Sequence, residues 1–102
     1  MPDVSAPAVM TFRDRLRGSN LFVEAVRQSD LGPWQRLELR GAYFIPRVRD
    51  MVDDYIESKL AERGDVNAMS NGDIIKYIIE HLPEIAAFIA AMFDMFKQFG
   101  GQ

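Results

Sequence analysis

A chain of 102 residues, 48% hydrophobic and 26% charged, has the composition of one small globular domain, too short for a core plus an elaborate catalytic cleft. A formal charge of −3 and a pI near 5.0 point away from a general nucleic-acid binder, whose footprint is basic. Without cysteine there is no disulfide, thiolate nucleophile or thiolate metal site, which fits a reducing, intracellular compartment.

The first stretch, MPDVSAPAV, lacks the basic and apolar regions of a secretory signal, and its Pro, Ser and Ala content reads as an extended arm over residues 1–10. A helical domain is expected over 11–99, with 100–102 as a tail. Thr11 with Asp14 three residues later has the spacing of a capping box, so a short helix starts there, buries Phe12 and Leu16, and ends at Gly18. A second short helix follows Asn20, carries Leu21, Phe22, Ala25 and Val26 on its inner face, and stops in the turn-rich SDLGP.

Gly32-Pro33 reads as a helix start, because proline in the first turn gives up an N–H that has no partner there anyway. From Trp34 to Ile56 the apolar positions Trp34, Leu37, Gly41, Phe44, Ile45, Val48, Met51, Val52, Tyr55 and Ile56 fall in an arc of roughly 140° at helical period. That phase runs through Pro46, which predicts either one bent helix over about 33–63 or two helices meeting there with little change of direction. The alternating RLELR, Arg36 to Arg40, competes as a short strand, but it has no evident mate. GDVNAMSNGD is a turn-rich connection; Gly64 ends the helix before it, and Ser70 with Asp73 caps the next.

The last segment, about 71–99, carries a wide apolar face with Pro83 on its polar side, so a second bent helix is expected. The fold expected is therefore all-α: two long, proline-bent amphipathic helices in an antiparallel hairpin, with the two short N-terminal helices packed on it.

Three features bear on function. The uncharged run Ile85 to Phe93 is too short for a bilayer span, and the acids beside it disfavour an anionic membrane surface, although surface binding remains an alternative. His81, the single histidine, lies on the apolar side with Glu80 and Glu84 turned away, which suits a satisfied or interface-edge histidine, able to serve as a pH-sensitive contact, better than a metal ligand. Asp50, Asp53, Asp54 and Glu57 stand on one outer face as a solvated or salt-bridged cluster. Arg13, Arg15 and Arg17 on the first helix are candidates for a phosphate or acidic partner, which makes nucleic-acid binding a further, weaker alternative.

No catalytic, cofactor or metal motif is present, so no enzyme activity, cofactor or small-molecule substrate is expected. The face of Ile85, Phe88, Ile89, Met92, Phe93, Met95, Phe96 and Phe99 offers more apolar surface than a hairpin and two short helices cover. The first fifty residues hold eight arginines against six acids, and the remainder holds four basic residues against nine acids. A mildly basic half and an acidic half suit contact between copies. The reading is a soluble structural subunit that self-associates or joins a larger particle, viral or cellular. An adaptor docking its C-terminal helix on one protein partner is the alternative.

Overall fold

A computed structural model describes residues 11–100. Six helices follow one another: α1 (Phe12–Gly18), α2 (Leu21–Gln28), α3 (Pro33–Tyr43), α4 (Pro46–Ala61), α5 (Asn71–Glu80) and α6 (Leu82–Gly100), with a 3-10 turn at Val66–Ala68 between α4 and α5. No strand occurs among the described residues, and Arg36 to Arg40 lies within α3. The fold is all-α. The expected arm over 1–10 and the tail beyond Gly100 lie outside the described residues.

Local chemistry sets the helix starts. Thr11 Oγ1 accepts from the Asp14 N–H at 3.0 Å while Asp14 accepts from the Thr11 N–H, the reciprocal capping box. Ser70 Oγ accepts from the Asp73 N–H at 3.1 Å at the head of α5. Pro33 and Pro46 each open a helix. Asn20, ahead of α2, has φ 51°, a left-handed conformation that asparagine tolerates better than most residues and that lets α1 and α2 follow with almost no loop.

Both long helices expected from the sequence are divided. α3 ends at Tyr43, Ile45 is extended at φ −76°, ψ 118°, and α4 begins anew at Pro46. The residue before proline is pushed out of the α region by the ring, and here that produces a break rather than a bend. The second division is slighter. His81 alone leaves the helix between α5 and α6, its N–H still bonding the Tyr77 and Ile78 carbonyls and its own carbonyl accepting from Ile85.

The hairpin survives only as an antiparallel pairing of α4 with the α5–α6 unit. Arg47 lies over the Phe96 ring, Tyr55 stacks on Phe88 at 4.7 Å, and Arg63 lies over Tyr77, so partners descend along one strand of the pair as they ascend the other. The two short helices are not lodgers on this frame. Leu16, Leu21, Phe22, Ala25 and Val26 are fully or almost fully buried, and α2 packs closely on α5.

The break at Phe44–Ile45 also resets the helical phase, which changes what α3 buries. Leu39, Ala42 and Tyr43 face the core, whereas Trp34, Leu37, Phe44 and Ile45, expected inside, are exposed. Gly41 stands on the same outer side, and a β-carbon added there would meet nothing within 4 Å. Gly41→Ala is accordingly expected to stabilise the chain by about 0.5–1 kcal/mol through reduced backbone entropy in the unfolded state, read from chemical denaturation.

Candidate interaction surface

The three arginines of α1 are spent inside the chain. Arg13 pairs with Asp54, and Arg17 pairs with Asp50 and, through Nε at 2.9 Å, with Asp53. Arg15 donates to the carbonyls of Val66 at 3.3 Å and Met69 at 2.7 Å and to Asn71 Oδ1 at 2.8 Å, fastening α1 to the α4–α5 connection. Acids of α4 in the same chain thus meet Arg13 and Arg17, carbonyl and amide oxygens of the α4–α5 connection and the head of α5 meet Arg15, and none of the three guanidinium groups faces solvent alone.

Asp53 is a correction to the outer acidic face. Its side chain is 0% exposed, and Tyr43 Oη donates to its Oδ1 at 2.7 Å. Burial pushes the Asp53 carboxyl above the usual aspartate range, against the opposing pull of the Tyr43 and Arg17 hydrogen bonds. The Arg17 guanidinium is held still more firmly protonated by its hydrogen bond to Asp53. Burial, then the Asp53 contact, raises the Tyr43 phenol far above its ordinary range. A carboxylate, a phenol and a guanidinium from α4, α3 and α1 therefore form one internal clasp. With its oxygens occupied and its carboxylate out of reach of solvent, it has no room for a substrate.

His81 stacks on Tyr77 at 4.2 Å and its Nδ1 pairs with Glu84, so Glu84 does not turn away as the unbroken wheel implied. Nε2 lies 3.5 Å from the Arg63 guanidinium. Among the described residues no group of three or more histidine, aspartate or glutamate side chains is close enough to hold a metal ion.

The apolar face of α6 divides. Ile85, Ile89 and Met92 are buried in the core of the chain itself; Phe88, Phe93 and Phe96 pack partly against it; Met95 and Phe99 are exposed. Sequence reasoning missed the larger exposure, on α3, where Trp34 is 78% and Phe44 71% exposed, comparable with Phe99 at 79%. The available signal was Pro46. Once α3 is taken as a helix by itself, its apolar residues fall on two sides, Leu39, Ala42 and Tyr43 against Trp34, Leu37 and Phe44, and only one side can be inward.

Because α4 and α6 run antiparallel, the C-terminal end of α6 returns to the α3–α4 junction, where Arg47 covers Phe96. Phe44 and Ile45 at that junction, and Met95 and Phe99 beside Phe96 along α6, are exposed, and Arg40, Arg47 and Lys97 stand within a few residues of them along the chain. From this end an open apolar groove of about 730 Å³ runs back between α3 and α6, floored by Leu39, Ala86, Ile89 and Phe93, with Ala90 and Ile45 at its lip. Only Gln35 and Glu38 among its lining side chains are polar.

At the opposite end, where α4 finishes against α5, a depression of about 320 Å³ is lined by Leu60, Met69 and Tyr77 together with two acidic and two basic side chains, Asp73, Glu80, Arg63 and Lys76, and Glu62 stands near Tyr77. Among the described residues neither these three carboxylates nor the Arg40, Arg47 and Lys97 of the aromatic end make a salt bridge. Among the described residues no helix is long and apolar enough to cross a membrane. No protein-family model, no curated protein and no solved structure matches the chain.

Proposed function

We propose that this chain is a non-catalytic assembly subunit that self-associates through its aromatic end. The observation that supports the reading is exposed apolar surface toward one end of the molecule: Phe44 and Ile45 at the α3–α4 junction, and Met95 and Phe99 on the part of α6 that the Arg47–Phe96 contact brings back to that junction, with Trp34 and Leu37 also exposed on α3. Single exposed apolar residues are ordinary on a protein surface, whereas a contiguous patch rimmed by charge marks a contact site. Burying one such ring contributes roughly 1.5–3 kcal/mol, or about 10- to 100-fold in affinity.

Part of the α6 face first read as an interface serves the internal core, and the outer side of α3 supplies what was subtracted. Phe44→Asp with Phe99→Asp is expected to reduce self-association at least 100-fold while leaving the helical circular-dichroism signal unchanged, because both rings stand outside the core. Light scattering behind a sizing column, over a hundredfold range of concentration, reads the result. A mass distribution unaltered by the double substitution would overturn the assignment of the surface.

A further inference from the structure

α3 is apolar on two sides, and the core uses one of them. Leu39, Ala42 and Tyr43 face inward, whereas Trp34, Leu37 and Phe44 are 78%, 57% and 71% exposed. With Gly41 these outer residues recur at intervals of three, four and three, the spacing of a seam between two helices, and at about 100° per residue they form one stripe. Phe44 caps α3 in the αR conformation and so stays in phase with it.

Gly41 has no packing role within the chain. Its φ is not positive, and a β-carbon there would meet nothing within 4 Å, although glycine inside a helix is unfavourable relative to alanine. In the middle of the stripe it allows a second backbone to approach closely. Trp34, Leu37 and Phe44 leave on the order of 400 Å² open, about half of the roughly 800 Å² per partner that a standard stable interface covers.

The flanks of the stripe set the orientation. Glu38 and Arg40 stand on opposite flanks, each roughly 80° from the centre. Both are exposed, and among the described residues neither makes a salt bridge. Two copies packed stripe to stripe with antiparallel helices would set Glu38 against Glu38 and Arg40 against Arg40. With the helices parallel about a two-fold axis, the Glu38 flank of each copy faces the Arg40 flank of the other.

We propose that a second copy of this chain packs on the outer side of α3, the two α3 helices parallel about a two-fold axis. Gly41 lies at the closest approach, Trp34, Leu37 and Phe44 each meet their own counterpart, and Glu38 faces Arg40 along both flanks. The inference rests on the self-association reading and specifies its geometry. A contact of this kind is closed and stops at two copies.

The chain has no cysteine, so a single introduced thiol can form a disulfide only between copies. A disulfide needs Cα atoms within about 7 Å, which a parallel pair provides between like positions of the stripe. Leu37→Cys and Gly41→Cys, oxidised separately, are each expected to give mainly a covalent dimer of twice 11.6 kDa. Glu62→Cys, at the far end of α4, is expected to remain uncrosslinked. By light scattering the wild type is expected to reach twice 11.6 kDa and no more. Gly41→Leu, which holds the helices apart, should raise the concentration needed for dimers about tenfold or more, with the helical circular-dichroism signal unchanged.

A wild type that associates while neither thiol cross-links would overturn the α3 contact and leave self-association standing. Cross-linking only in a mixture of Leu37→Cys with Gly41→Cys would overturn the parallel arrangement and make the contact antiparallel. Growth past two copies would overturn the closed dimer. A wild type that stays monomeric at every concentration would overturn self-association itself.

Discussion

Replacing Arg17 by methionine is expected to destabilise the chain by about 2–3 kcal/mol at neutral pH, most of which is recovered in mild acid. The methionine keeps the length and packing of the arginine stem and removes the charge. What it leaves behind is a carboxylate, Asp53, that is fully buried and has only the Tyr43 hydroxyl at 2.7 Å to satisfy it. Stranding one member of a buried ion pair costs more than the pair contributes, because the desolvation of the remaining charge is no longer offset. The loss is placed below the usual 3–5 kcal/mol because Arg17 is itself about one-third exposed, with a side-chain accessibility of 36%. In a domain of this size a loss of that magnitude lowers the melting temperature by roughly 10–20 °C.

The pH dependence supplies the sign. The folded Asp53 carboxyl already sits above its unfolded value, burial being the main cause. The native state therefore holds this proton more tightly than the unfolded state. The stability associated with it is fully present below the unfolded aspartate pKa and is lost as pH rises through the folded one. Removing Arg17 takes away a group that favours the ionised form, so the folded value climbs further and this loss with rising pH steepens. The gap between Arg17→Met and wild type is consequently expected to narrow as pH falls from neutrality toward 4. Asp53→Asn, which has no charge to strand, should flatten this contribution. Urea unfolding at several pH values checks both; a gap that is constant with pH would mean that Asp53 is not the group left uncompensated.

Phe22→Ala is expected to cost about 3–5 kcal/mol, a large share of the 5–15 kcal/mol that holds a typical domain together. Phe22 is wholly buried and its ring stacks on Tyr43 at 4.4 Å, so its removal opens a cavity where α2 meets α3 and also forfeits an aromatic pair. Tyr43 in turn holds Asp53, and the cavity thereby loosens the clasp from the side opposite Arg17. Phe22→Leu, which refills most of the volume, should recover more than half of the loss. Equal destabilisation by Phe22→Ala and Phe22→Leu would show that ring stacking, and not volume, is the dominant contribution.

Much of the local structure could be read without coordinates. Thr11 and Asp14, Gly32-Pro33, and Ser70 with Asp73 mark helix starts that the structure reproduces, because a cap is a matter of three or four neighbouring residues and needs no distant partner. The buried faces of α1 and α2 were legible for the same reason, a short amphipathic run having only one apolar side to turn inward. The segment 33–63 was not. A periodicity count assumes an unbroken screw, and the break at Phe44–Ile45 turned α3 so that Tyr43 points in and Phe44 out. Asp53 was misread on similar grounds: a carboxylate at helical spacing among other acids is a surface residue unless a guanidinium and a hydroxyl arrive from elsewhere, and Arg17 and Tyr43 lie 36 and 10 residues away along the chain.

The candidate surface divides along the same line. Phe93, Met95, Phe96 and Phe99 were recognisable as surplus apolar residues on α6, and the basic and acidic halves of the chain were visible as composition. Which of the apolar residues remain outside was a question of competition among helices for the same burial. Ile85, Ile89 and Met92 went to the core, and Trp34, Leu37 and Phe44 were left out of it. The sequence by itself determined the helical class, the helix starts and the overall balance of charge, since each depends on residues within a turn or two of one another. The tertiary structure alone decided which carboxylate is buried and which aromatic residues are wet. Those properties depend on the antiparallel return of α6 along α4 and on the rotation of α3 at Pro46, and neither is encoded in any local pattern.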